Sequence, residues 1–142
     1  LLFDEVAERF ICRKKARRIT IEEAAEILKE ANRSGLVHLA LYMPNHKVYA
    51  LCSCCSCCCH EMQIIREYGR CELMLHSQYI AETDFSLCMN CAMCIDRCLF
   101  SARSINEKGE LFYKPERCLG CGLCVSACPF NATRMKIRGT EV

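Results

Sequence analysis

No stretch of this 142-residue sequence approaches the roughly 20 consecutive apolar residues that a membrane-spanning helix requires. The longest candidate, residues 36–43, is interrupted by His38 and stops at Pro44. Neither sign of charge dominates, the formal sum being +2. One basic run, Arg13-Lys14-Lys15-Ala16-Arg17-Arg18, has no aromatic residue interleaved with it, which argues against nucleic-acid binding. There is no phosphate-binding loop, no dinucleotide GxGxxG and no Ser/His/Asp arrangement, so nucleotide or flavin chemistry would have to come from a partner. No catalytic residue is assigned. Asp4, Glu5 and Glu8 stand where a secretory leader would carry positive charge, and the expected location is the cytoplasm.

What the chain has in excess is cysteine, with 16 residues. Such a content means either a disulfide scaffold in an oxidising compartment or metal ligation in a reducing one. The spacing decides for metal. Cys88, Cys91, Cys94 and Cys98 recur as Cys118, Cys121, Cys124 and Cys128 at an offset of 30 residues. Phe100 recurs as Phe130, Ala102 as Ala132, and apolar Ile105 as Met135. Both halves obey C-x2-C-x2-C-x3-C, the ligand spacing of bacterial two-cluster ferredoxins.

That spacing has a mechanical reason. A tight C-x2-C-x2-C loop wraps three irons of one cube, and the fourth thiolate, a helical turn further on, aims away from its own loop toward the other cube. One cluster is then expected on Cys88, Cys91, Cys94 and Cys128, and the other on Cys118, Cys121, Cys124 and Cys98. Paired zinc sites would not need the exchanged fourth ligand. Leu87, Met89, Met93, Ile95, Leu99, Phe100, Leu119, Leu123, Val125 and Phe130 are expected to form a dry shell that helps set the potentials.

On these residues the sequence resembles the bacterial dicluster ferredoxin family over about 80–138. The resemblance implies an α+β, pseudo-twofold dicluster fold built from a β-α-β repeat. Short strands are implied near 80–84, 103–106, 111–113 and 132–136, with Glu107-Lys108-Gly109 turning the central hairpin. It also implies two [4Fe–4S] clusters, low-potential one-electron transfer and sensitivity to oxygen. Each cluster with four thiolates carries about −2 when oxidised, which would bring the loaded chain to roughly −2. Two departures from the family pattern stand out. The first loop, Cys88-Met-Asn-Cys-Ala-Met-Cys94, lacks glycine where the second has Gly120 and Gly122, and Cys98 precedes Leu99 where Cys128 precedes Pro129.

The rest of the chain reads as a smaller, mainly helical N-terminal unit over 1–50, with a Cys-rich segment and helix over 51–79 and a tail at 139–142. Residues 3–18 have Phe3, Val6, Ala7, Phe10 and Ile11 at helical spacing, ending in the basic run, whose cations suit a last turn. Cys12 falls on the apolar face as a core residue. Thr20-Ile21-Glu22-Glu23 fits a capping box for a helix through Asn32, and Gly35 a left-handed stop. Strands are expected over 37–43 and 47–51 around a Pro44-Asn45-His46 turn. A helix with Met62, Ile64, Ile65 and Tyr68 runs to Gly69, and Cys71 lies in the linker beyond. His38, His46 and His76 have no partner at ligand spacing and read as structural or surface residues.

Residues 52–59 place six cysteines in eight positions, more than one tetrahedral ion uses. Several thiolates converge in either a helix or an extended chain, which favours soft metals: an iron–sulfur centre first, zinc second. The run is similar to a C-x-C-C-x-x-C-C segment that precedes the dicluster module in larger 4Fe–4S-binding proteins of anaerobes. That pattern maps onto Cys52, Cys54, Cys55, Cys58 and Cys59, leaving Cys57 as a variable position, with His60 where such proteins usually have glycine.

The expected function is therefore electron transfer, as a subunit or partner of an anaerobic oxidoreductase complex, with the N-terminal helices docking to a protein redox partner. Neither nucleic acid nor a membrane span is expected. The competing reading is a redox enzyme or gating subunit with chemistry at the third centre. A redox-sensing or nucleic-acid-binding role drawing on residues 13–18 ranks last.

Overall fold

The computed structural model describes residues 1–139 except 46, 70–73 and 76. His46, Cys71 and His76 thus lie outside the described residues. The chain divides into two units, Leu1–Cys54 and Cys55–Val142.

The first unit has two helices, α1 (Asp4–Cys12) and α2 (Ile21–Arg33), followed by strands β1 (Val37–Tyr42) and β2 (Val48–Cys54). The Thr20 hydroxyl accepts a hydrogen bond from the Glu23 N–H at 3.2 Å, satisfying one of the donors exposed at the start of α2. Gly35 takes φ 84°, and the N–H groups of Gly35 and Leu36 return to the carbonyls of Asn32 and Ala31, a Schellman stop. The same closure ends α1 where glycine is lacking. Lys14 adopts φ 55°, and Lys14 and Lys15 N–H bond back to Ile11 and Phe10. The helix expected over 3–18 therefore stops at Cys12, and the basic run lies beyond it. Within that run Arg17 pairs with Glu23 and Arg18 with Glu8. Cys12 is exposed rather than in the core, and α1 buries no residue.

Strands β1 and β2 form an antiparallel hairpin in the register Val37↔Cys54, His38↔Ser53 and Leu39↔Cys52. The second strand continues past Leu51 through the first cysteines of the Cys-rich run. Leu2 bridges Ala50 on β2, and Val37 and Ala50 are buried. The His38 ring lies 3.0 Å from the Ser53 hydroxyl and 3.2 Å from the Leu28 carbonyl, a structural role.

The second unit opens with α3 (His60–Tyr68), which buries Met62 and Ile65 and ends at left-handed Gly69. The order then runs β3 (Tyr79–Thr83), α4 (Met93–Asp96), β4 (Arg103–Ile105), β5 (Leu111–Tyr113), α5 (Leu123–Ser126), β6 (Thr133–Ile137), with a 3-10 turn at Pro115–Arg117. The first and last of these strands pair antiparallel, from Tyr79↔Ile137 to Thr83↔Thr133. The middle two form a hairpin, Arg103↔Tyr113 to Ile105↔Leu111. Its turn is held by the Asn106 side-chain oxygen, which accepts from the Lys108 and Glu110 N–H groups, with Gly109 at φ 77°. Ile80, Ala81, Ala102, Cys118 and Cys124 make the core, with Tyr113, Val125 and Met135 packed against it.

Candidate metal centres

Each half of the repeat delivers its cysteines on a loop that runs into a one-turn helix. The residue before each helix is left-handed, Ala92 at φ 63° and Gly122 at φ 78°, as are Asn90 at 51° and Gly120 at 77° two positions earlier. Left-handed residues at alternate positions turn neighbouring N–H groups to one concave side, a conformation suited to anionic sulfur. Glycine is required at 120, where an added Cβ would collide with the Tyr79 carbonyl oxygen and lie 2.6 Å from the Ser77 Cβ. The first loop manages with asparagine, whose side-chain oxygen accepts from the Leu111 N–H at 3.1 Å.

Two cavities of similar size, about 350 and 330 Å³ and partly open to solvent, lie at these loops. Cys88, Cys91, Cys94 and Cys128 line the first. Cys98, Cys118, Cys121 and Cys124 line the second. Each therefore gathers three thiols from one loop and a fourth from the other. The two fourth cysteines are held alike: Ala102 N–H donates to Cys98 Sγ and Ala132 N–H to Cys128 Sγ, both at 3.3 Å.

The electrostatics differ from thiol to thiol. Burial pushes Cys121 up to about 11. Burial also raises Cys124 and Cys94, against the opposing charge of Arg103. At Cys128 burial acts the same way but is outweighed by N–H groups of Phe130, Ala132 and Thr133, which hold the thiol below its ordinary value. Buried thiols of this kind ionise when cationic iron replaces the proton. Four convergent sulfurs, N–H donors to sulfur and a nearby guanidinium fit an iron–sulfur group in each cavity.

The surroundings are not uniformly dry. Leu123, Phe100 and Leu119 are buried as expected, but Leu87, Met89, Met93 and Phe130 are exposed. Met89 and Phe130 line the first cavity, whose Cys91 is exposed, whereas Cys118 and Cys124 of the second are buried. The expected continuous dry shell is thus confined to the second cavity. A domain this small has too much surface for the core it can build, and so cannot cover both sides.

In the Cys-rich run, the sulfurs of Cys55, Cys57 and Cys58 all lie within 4.8 Å of one another. Cys57 Sγ donates to Cys55 Sγ at 3.0 Å and is 3.6 Å from Cys58 Sγ. That donation, helped by the Cys58 and Cys57 N–H groups, draws Cys55 down to about 7, while the bond to Cys55 holds Cys57 at about 11. Cys59 donates to the Glu61 carboxylate at 3.2 Å, and His60 opens α3. Cys52 and Cys54 sit on β2 opposite Leu39 and Val37. Cys57, which the pattern leaves free, is thus central to the gathered sulfurs, brought there by the turn over 56–58.

A family model described as a 4Fe-4S dicluster domain matches residues 87–132. This part of the chain is an iron–sulfur, ferredoxin-like module. The match takes in all eight cysteines of the repeat and supports a role in electron transfer. No curated protein matches the chain. Among the described residues, no helix is long and apolar enough to cross a membrane.

Proposed function

We propose that the chain is a low-potential one-electron carrier with two [4Fe–4S] clusters in a pseudo-twofold dicluster fold. Cys88, Cys91, Cys94 and Cys128 hold one cluster, and Cys118, Cys121, Cys124 and Cys98 hold the other. The observation that carries the reading is the exchange of the fourth cysteine between the two cavities. Two independent metal loops would have no use for it.

A bound [4Fe–4S] cluster supplies a reversible one-electron couple. The chain does the rest. Eight thiolates would fix the irons, the Ala102 and Ala132 N–H groups bond the exchanged sulfurs, and buried Phe100 and Leu119 line the second site and would keep water from it. No acid–base group is needed, because an electron moves without a bond being made.

A third centre is assigned to the Cys-rich run, drawing on Cys52, Cys54, Cys55, Cys58 and Cys59. Cys57 joins them, on the support of its sulfur contacts with Cys55 and Cys58. Iron–sulfur is the first choice and zinc the second, since a soft donor set serves both. Such a chain suits a subunit or partner of an anaerobic oxidoreductase, with residues 1–50 as the docking part, 51–79 carrying the third centre and 80–138 the two clusters.

The test is iron, zinc and acid-labile sulfide counting on anaerobically purified full-length chain, for the wild type and for Cys98→Ser. The wild type is expected to hold more than eight irons and no stoichiometric zinc. Eight irons with one zinc would make the third centre zinc, and fewer than eight would overturn the two-cluster reading. In Cys98→Ser, the damaged cluster is expected to be the one on the Cys118 loop.

A further inference from the structure

Arg103 opens β4 and is only 3% exposed. With Thr133, which occupies the same place in the other half of the repeat, it makes up the buried polar residues described. Its Nη1 donates to Thr83 Oγ1 at 2.9 Å and to Cys94 Sγ, a thiol of the first cavity, at 3.7 Å. Its side chain also lines the second cavity, beside Cys124. The Tyr113 ring lies 4.9 Å from its Cζ. Nη2 is buried without a hydrogen-bond partner.

A buried cation is costly unless an anion faces it. None of the ion pairs among the described residues gives Arg103 a carboxylate. Its guanidinium instead meets Cys94 Sγ of the first cavity, and Arg103 shares the lining of the second cavity with Cys124. The cysteines of both cavities, ionised once iron replaces their protons, are therefore the anions that face it.

We propose that Arg103 is a shared counter-cation of the two cysteine sites, positioned by Thr83 and Tyr113 so that its guanidinium acts on both clusters and raises both reduction potentials. The inference rests on the two-cluster reading above. When a donor of lower potential delivers one electron to either cluster, the negative charge on that site grows by one. A fixed positive charge nearby stabilises the added electron. Arginine releases no proton in the process, so the electron is the only particle transferred. The unpartnered Nη2 is the donor left free for sulfur. In the repeat-related position, Thr133 supplies no charge, so one cation serves both sites from one side of the repeat.

The experiment uses the full chain purified without oxygen, with wild type, Arg103→Met and Arg103→Lys compared. Iron content is measured first, and both potentials follow by EPR-monitored titration against dithionite. Arg103→Met is expected to keep eight ferredoxin irons while each reduction equilibrium falls about tenfold, which is ~59 mV for one electron. Arg103→Lys is expected to keep most of that difference. Unshifted potentials in an iron-replete Arg103→Met chain overturn the role of Arg103 and leave the two-cluster reading standing. A wild type with fewer than eight irons overturns both.

A second measurement needs no neutral variant to fold. Wild-type chain carrying guanidino-15N arginine is reduced and examined by pulsed EPR. A guanidinium nitrogen coupling that disappears in Arg103→Lys is the expected result. Its absence from the wild type overturns the proposal.

Discussion

Gly120 shows how one residue decides whether a cysteine loop closes. Its left-handed φ and the approach of the Tyr79 carbonyl leave no room for a Cβ. Gly120→Ala is expected to destabilise the module by at least about 1–3 kcal/mol through backbone strain alone, with steric displacement of β3 in addition. Thermal unfolding of the loaded chain measures it; an unchanged midpoint would contradict the close approach. Glycine at this position and the eight repeat cysteines were legible in the sequence because chain geometry ties them to fixed spacings. Arg103 was not. Lying five residues after Cys98, it reads as one more surface cation, and only the fold shows that β4 turns it inward. Cys57 was missed for the opposite reason: a pattern borrowed from longer proteins leaves its position free, while the local turn brings its sulfur to Cys55.

At the scale of elements, most of the helices and strands were legible wherever a cap or a turn residue marks the end. Thr20, Gly35, Gly69 and the Asn106–Gly109 turn all act as their residue types suggest. The first helix was read too long because its stop is Lys14, a residue with no preference for the left-handed region. Lys14→Gly should therefore relieve strain. The gain is roughly 0.5–1 kcal/mol once the extra freedom of glycine in the unfolded chain is deducted. Circular dichroism during thermal unfolding checks this, and a loss of helix stability would contradict the Schellman stop. The expected dry shell failed at Met89, Met93, Leu87 and Phe130 because hydrophobicity alone does not say which side of a small module is covered.

Over the whole molecule, the two cysteine cavities are alike in ligand number and unlike in shelter. The first has exposed Cys91 with Met89 and Phe130 at its lining, and the second has buried Cys118 and Cys124 beside Leu123. A chelator under oxidising conditions should therefore release iron in two phases. Cys88, Cys91, Cys94 and Cys128 should become alkylated before Cys98, Cys118, Cys121 and Cys124, as read by mass spectrometry of the labelled peptides. Simultaneous labelling of all eight would contradict the difference in shelter. Two bound clusters would also turn the formal charge of +2 to roughly −2, so the apo chain is a poor guide to how the loaded protein meets a partner. The most direct measurement of the central claim is an anomalous difference map at the iron edge from crystals grown without oxygen. Two four-iron groups are expected, one bounded by Cys88, Cys91, Cys94 and Cys128 and the other by Cys118, Cys121, Cys124 and Cys98. A group held by four cysteines of a single loop, or isolated single ions in these cavities, would contradict it.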